Sequence, residues 1–199
     1  MSCRYCSRDA VYKCAVCGQL LCGEHAQLRT VCPNHKNKTK LVYIITPKSA
    51  QDKQTISKFV RTFWGEEEQL TFDREFKVPE LPGYVAKTEN KIVGFISTGE
   101  SDNATIIVAL GVLPKHQAFG IGERLIAKVE RDAKRNKKEM LLVSTSNDDL
   151  PALGFYQKLG FQICEVKPNA IAIKHGKILC GIGKLPVRDE LRLKKNLAD

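Results

Sequence analysis

Nowhere in the chain do about 18 apolar residues run together, and no apolar stretch with a small-residue cleavage site opens it. Neither a membrane span nor a secretory signal is encoded, so a cytoplasmic protein with no membrane partner is expected. Cysteine is nearly missing from most of the chain: beyond residue 35 only Cys164, which is expected to be buried, and Cys180 remain. In a reducing cytosol the six earlier ones read as metal ligands, with disulfides as the alternative. Acidic residues are outnumbered, 22 against 32 lysines and arginines, which leaves a formal charge of +10. That excess fits an acidic partner such as a nucleotide cofactor, RNA or an acidic protein face, and it equally fits a solubilising surface.

The 199 residues are long for one domain and short for two full-sized ones, so one main core with a small appendage is expected. The appendage is residues 1–36. Cys3 and Cys6, Cys14 and Cys17, Cys22 and His25, and Cys32 and His35 form four pairs, each with two intervening residues. Eight ligands suit two four-coordinate Zn²⁺ ions, because a two-residue gap lets a tight turn present both side chains to one tetrahedral ion. Alternate pairing gives one site from Cys3, Cys6, Cys22 and His25 and another from Cys14, Cys17, Cys32 and His35. Adjacent pairing gives one all-cysteine site and one with two cysteines and two histidines. The segment resembles the cross-brace fingers of the B-box and HIT type, in which interleaved loops share two ions, and that resemblance favours alternate pairing. So short a segment buries too little apolar surface to fold unaided, so the metal is structural.

Lys36 to Lys40 is a polar basic run, and residues 37–40 read as a linker to a domain over 41–199. Leu41 to Ile45 is a strand candidate. Ser49 to Trp64 has helical spacing, with Ile56, Phe59, Val60 and Phe63 on one face and Gly65 as its stop. The charged run Glu66 to Glu80 reads as a short helix and a loop. Tyr84–Ala86 and Ile92–Ser97 read as a hairpin and Thr105 to Leu113 as a strand stopped by Pro114. Ala118 to Arg135 is the most amphipathic helix. Met140–Ser144, Leu150–Leu159 and Phe161–Val166 continue as strand, helix and strand, and Glu190–Lys194 as a last edge strand. Residues 168–185 show no clear element. Strands before, between and after helices indicate an α/β domain with a mixed sheet.

Two strings carry chemistry. Gln117-Ala118-Phe119-Gly120-Ile121-Gly122 follows the Thr105–Leu113 strand and opens the long helix, where unpaired N–H groups and glycines suit a diphosphate. About thirty residues later comes Asn147 to Phe161, N-D-D-L-P-A-L-G-F-Y-Q-K-L-G-F. Together they resemble the GNAT acetyltransferase superfamily over roughly residues 41–167. The resemblance implies a mixed central sheet flanked by helices, with acetyl-CoA as cosubstrate. It implies that Gln117, Phe119, Gly120, Ile121 and Gly122 present N–H groups to the CoA diphosphate. It further implies that Leu110, Val112 and Leu113 bond the pantetheine arm beside a bulge, that Asn147 contacts the cofactor, and that Tyr156 protonates the departing thiolate. Gln117 stands where the family more commonly has arginine.

Thr105 to Leu113 contains no carboxylate, so the base is sought elsewhere. Glu66, Glu67 and Glu68 follow the first helix near the expected acceptor cleft, and Glu67 and Glu68 are the catalytic candidates. The resulting expectation is an N-acetyltransferase acting on a protein or small-molecule amine, with a zinc module for docking to protein or RNA. The competing reading is a zinc-dependent protein- or RNA-binding regulator whose GNAT fold holds acyl-CoA without turnover. Base-stacking aromatics in the module are limited to Tyr5 and Tyr12, which favours protein docking.

Overall fold

Adjacent residues of a strand point to opposite faces, and Val85 and Ala86 show how this chain uses that rule. Val85 packs under one helix together with Phe95 and Ala109, and Ala86 packs under another with Ile96 and Ile107, giving two cores on the two faces of one sheet. The computed structural model describes residues 2–10, 12–13, 20–22, 24, 42–47, 49–88 and 91–197. The linker 37–40 and the turn residues Glu89 and Asn90 lie outside them.

Near the N-terminus β1 (Tyr12–Lys13) and β2 (Leu20–Leu21) form a two-stranded antiparallel pair. The central sheet has seven strands in the order β10-β13-β9-β8-β7-β6-β3. They are β3 (Tyr43–Ile45), β6 (Gly83–Thr88), β7 (Lys91–Glu100), β8 (Ala104–Val112), β9 (Met140–Ser146), β10 (Gln162–Lys167) and β13 (Glu190–Asn196). All pair antiparallel except β8 with β9, which are parallel. The mixed α/β sheet flanked by helices is as expected.

Helix α1 (Ala50–Trp64) starts at a capping box between Ser49 and Asp52 and ends at Gly65, φ 80°. Ile56, Phe59 and Val60, at spacings of three and four, cover one face of the sheet. Helix α2 (Ile121–Arg135) buries Ile121, Leu125, Ile126, Val129 and Ala133 on the other face. Helix α3 (Leu150–Lys158) runs between β9 and β10 and is capped by Asp149. Among the described residues no helix is long and apolar enough to cross a membrane.

Three local expectations need correction. Residues 66–80 form no second helix: β4 (Glu68–Thr71) and β5 (Arg74–Lys77) make a hairpin, followed by a 3-10 turn at Val78–Glu80. Its tip, Phe72 and Asp73, has φ 51° and 58° and is secured from β13. Arg192 stacks on Phe72 and pairs with Asp73 at 2.9 Å, and Glu190 accepts the Phe72 N–H at 3.1 Å. Run-on charge at 66–68 obscured the alternation that buries Thr71 and Phe76. Second, β13 is not an edge strand but lies between β9 and β10, with Glu190 and Arg192 buried as an ion pair at 2.9 Å. Third, Cys164 is exposed on the true edge strand β10, although its Sγ contacts the Arg192 carbonyl at 3.4 Å.

The segment 168–185 also has structure. Helix α4 (Ala170–His175) is followed by β11 (Leu179–Cys180), a 3-10 turn at Ile182–Lys184 and β12 (Pro186–Val187), a small flap paired with itself.

Candidate functional site

Parallel pairing of β8 with β9 stops at Ile107 opposite Val143. Beyond it β8 stays with β7 while β9 turns its other edge to β13, pairing Ser144 to Ser146 with Glu190 to Arg192. The sheet therefore splays. A cavity of about 390 Å³ fills the gap, lined by Val108, Ala109 and Leu110 on one side and Val143 to Ser146 on the other.

Ser97 faces Ala109 and Thr98 faces Ile107, so Val108 has no opposite residue and forms a bulge in β8. Leu113 donates its N–H to the Val93 carbonyl at 2.8 Å. Hydrogen bonding alternates along an antiparallel pair, so the N–H groups of Leu110 and Val112 turn away from β7, towards the gap. Of the three candidate pantetheine contacts, Leu113 thus spends its N–H inside the sheet. The Val112 carbonyl is taken by the Gln117 amide, which donates Nε2–H at 2.7 Å.

Past Pro114 the chain makes a 3-10 turn in which His116 and Gln117 donate backbone N–H groups to Leu113 and Pro114. Ala118 and Gly120 then take left-handed conformations, φ 66° and 74°. For alanine that conformation is unfavourable, and such strain concentrates at functional sites. Gly120 caps α2 without a side chain, and Arg124 to Gly120 at 3.0 Å is the first bond of the helix. The N–H groups of Ile121, Gly122 and Glu123 therefore have no acceptor in it. Nothing lies within 4 Å of a Cβ placed on Gly120, whereas one on Gly122 would meet the Phe155 ring at 3.1 Å. Gly120 leaves the helix end open, and Gly122 lets α2 pack on α3.

Tyr156 is buried and lines the cavity. Burial, with Asp149 adding its charge, pushes its hydroxyl well above the usual tyrosine range. Asn147 faces the flap. It accepts N–H groups from Arg188 at 3.0 Å and Asp189 at 2.9 Å and donates to the Pro186 carbonyl at 2.7 Å. Of the three consecutive glutamates only Glu66 lines the cavity, ion-paired with Lys174 and 3.8 Å from His175 Nε2. Glu67 turns to α1, where hydrogen bonds from Ser57 and from Arg61 at 2.9 Å hold its carboxyl below the usual carboxylate range. Glu68 is exposed on β4.

Asp148, Lys174, His175 and Glu190 also line the cavity and escaped the sequence reading. The doubled aspartate after a strand was the one visible signal. Lys174 and His175 belong to the segment that showed no period.

At the N-terminus the Sγ atoms of Cys3, Cys6 and Cys22 lie within 4.8 Å of one another. Cys6 and Cys22 are 3.7 Å apart, and a zinc tetrahedron with Zn–S near 2.3 Å sets its sulfurs about 3.8 Å apart. Burial raises the Cys3 thiol, but hydrogen bonds from the Tyr5 and Cys22 backbone and the Cys22 side chain outweigh it and lower the pKa to about 6. The three come from the first and third ligand pairs. Cys14, Cys17, His25, Cys32 and His35 lie outside the described residues.

The family model described as acetyltransferase (GNAT) matches residues 51–161, more than half the chain. The uncharacterized Bacillus subtilis protein YxbD is 33% identical over 159 residues, 77% of this chain and 98% of that one. A GNAT family acetyltransferase from Elizabethkingia anophelis, solved with acetyl-CoA bound, superposes with a TM-score of 0.61 at 21% identity over 79% of this chain and 99% of that one. An acetyltransferase from Bacillus subtilis, solved with CoA, superposes with a TM-score of 0.61 at 19% identity, over 79% of this chain and 100% of that one.

Proposed function

Because the chain belongs to the acetyltransferase (GNAT) family, we propose that it moves an acetyl group directly from acetyl-CoA to an amine. The observation that carries this is the splayed gap between β8 and β9, with a bulged strand, an open helix end and Tyr156 around it. The Elizabethkingia and Bacillus structures, with acetyl-CoA and CoA, support the choice of cosubstrate.

In this reading the N–H groups of Phe119 to Gly122 hold the diphosphate, favoured by the positive end of α2. Gln117 acts by bracing the loop through its bond to Val112. Leu110 and Val112 bond the pantetheine arm as an added strand would. The Val108 bulge leaves backbone polar groups unpaired beside the acyl end, where a donor stabilises a developing oxyanion. Acetyl-CoA would supply the acetyl group as a thioester. The ammonium loses one proton to water in the cavity, its nitrogen bonds the acetyl carbon as the C–S bond breaks, and Tyr156 gives a proton to the leaving sulfur and regains one from the acetylated nitrogen. Glu66 lines the acceptor end; the hydrogen bonds from Ser57 and Arg61 turn Glu67 away from the cavity and make it a weaker base, and exposure argues against Glu68. Asn147 serves the flap.

Acetyl transfer from radiolabelled acetyl-CoA to a panel of amines, beside calorimetric CoA affinity, tests this reading. Micromolar CoA binding with turnover on at least one amine is expected. CoA binding without any turnover would turn the chain into an acyl-CoA-holding regulator.

Residues 1–36 form, in this proposal, a two-zinc module that docks a protein or RNA target, joined by 37–40 to the transferase domain at 41–199. Three sulfurs within 4.8 Å of one another, from the first and third ligand pairs, with Cys6 and Cys22 at tetrahedral spacing, support alternate pairing, in which His25 would complete the site. Metal analysis of reduced, full-length protein should give two zinc ions per chain. One ion or none would overturn the module, and replacing Cys22 should lower the content by one.

A further inference from the structure

Four carboxylates line the cavity, Glu66, Asp148, Asp149 and Glu190, against one lysine, Lys174. In a chain of formal charge +10 this local excess of negative charge runs against the background. All four accept at least one hydrogen bond or ion pair, and Asp148 differs from the other three in its second oxygen. Glu66 pairs with Lys174, Asp149 accepts the Ala152 N–H at 3.0 Å, and Glu190 accepts from Phe72 and pairs with Arg192.

Asp148 is different. Only 5% of it is exposed, and its Oδ2 accepts the Ile182 N–H at 2.9 Å. Its Oδ1 is buried without a hydrogen-bond partner among the described residues. A buried carboxylate oxygen lacking a donor is expensive, and such an atom beside a cavity calls for a donor from the ligand. The flap also fixes this side chain closely. A Cβ on Gly181 would stand 2.1 Å from Asp148 Oδ2 and 2.5 Å from Val187 Cγ2, so only glycine fits between flap and carboxylate.

We propose that Asp148 is the carboxylate that receives the acceptor, so that the acceptor enters the cavity as a cationic amine whose N–H donates to Oδ1. The assignment rests on the acetyl-transfer reading for the identity of the cavity. It makes Asp148 a substrate-binding residue and gives the flap a part in specificity, since Gly181 and Ile182 set the position of the carboxylate.

The test uses full-length protein saturated with CoA, so that binding is measured without turnover. The probes are spermidine, tyramine and butylamine, with 1-butanol as the neutral isostere of butylamine. At least one amine should bind, butylamine should bind more tightly than 1-butanol, and Asp148→Asn should weaken amine binding roughly ten- to hundredfold, the loss of one charge-assisted hydrogen bond. The amide oxygen still accepts from Ile182, so the melting temperature and the CoA affinity should hold. In turnover the same variant should raise the amine KM by a similar factor and change kcat less. Unchanged amine affinity in the variant, equal binding of butylamine and 1-butanol, or no binding of any of the three amines overturns the proposal. Failure of the wild type to transfer acetyl to any amine removes the parent reading instead, and the binding measurements still decide Asp148.

Discussion

Gly120→Glu is expected to lower the affinity for acetyl-CoA about a hundredfold or more, through loss of several charge-assisted hydrogen bonds, while the protein stays folded. Gly120 stands at the open end of α2 with empty space around it, so the new side chain meets no steric obstacle. Its carboxylate would lie beside the unpaired N–H groups of Ile121, Gly122 and Glu123 and take the place proposed for the diphosphate. Two effects on stability oppose each other. A non-glycine residue at φ 74° costs about 1–2 kcal/mol, and an acid at a helix N-terminus returns about 0.3–1 kcal/mol. Gly120→Ala separates strain from charge, because it carries the same backbone penalty without the anion. Calorimetry should find the alanine variant within about tenfold of wild type, as its methyl meets nothing and leaves the N–H groups open. Equal affinity in the glutamate variant would remove the diphosphate site from this loop.

Tyr156→Phe is expected to slow acetyl transfer about a hundredfold with little change in acetyl-CoA affinity. The ring packs between Phe155 and Phe161, at centroid distances of 5.4 and 5.6 Å, and phenylalanine keeps that packing. General acids contribute about 10²–10⁴-fold, and the lower end is favoured here. Burial raises the Tyr156 hydroxyl, which keeps it protonated as a donor but widens the gap to a thiol of pKa near ~8.5. Single-turnover rates at saturating amine isolate the chemical step from product release. A near-normal rate, with a small loss of melting temperature as the only change, would leave Tyr156 a packing residue.

Much of this architecture is legible in the sequence, because its signals are local. Ile56, Phe59 and Val60 announce α1 through spacing, and Leu125, Ile126 and Val129 do the same for α2. Pro114 and the paired glycines locate the loop between β8 and α2, since backbone freedom at Gly120 is a property of the residue itself. The cysteine and histidine pairs are legible by composition and interval alone, and the proposed metal module starts from that spacing.

The rest is decided by contacts between segments far apart in the chain. The hairpin at 68–77 holds because Arg192 and Glu190 grip its tip from more than a hundred residues away, which no window of sequence displays. Strand β13 enters the interior of the sheet because its buried charges, Glu190 and Arg192, satisfy each other, a pairing that reads as an exposed edge when only alternation is visible. Asn147 turned to the flap for the same reason: the loop at 186–189 offers it two donors and an acceptor. Amino-acid order determined the helices α1 and α2, the strands around them, the spacing of the cysteine and histidine pairs and the place of the glycine loop that opens α2, all set by interactions within a few residues. Tertiary structure alone decided which carboxylates line the cavity, because burial and hydrogen-bond satisfaction belong to the assembled molecule, and there Asp148, not Glu67 or Glu68, has a buried oxygen without a partner among the described residues.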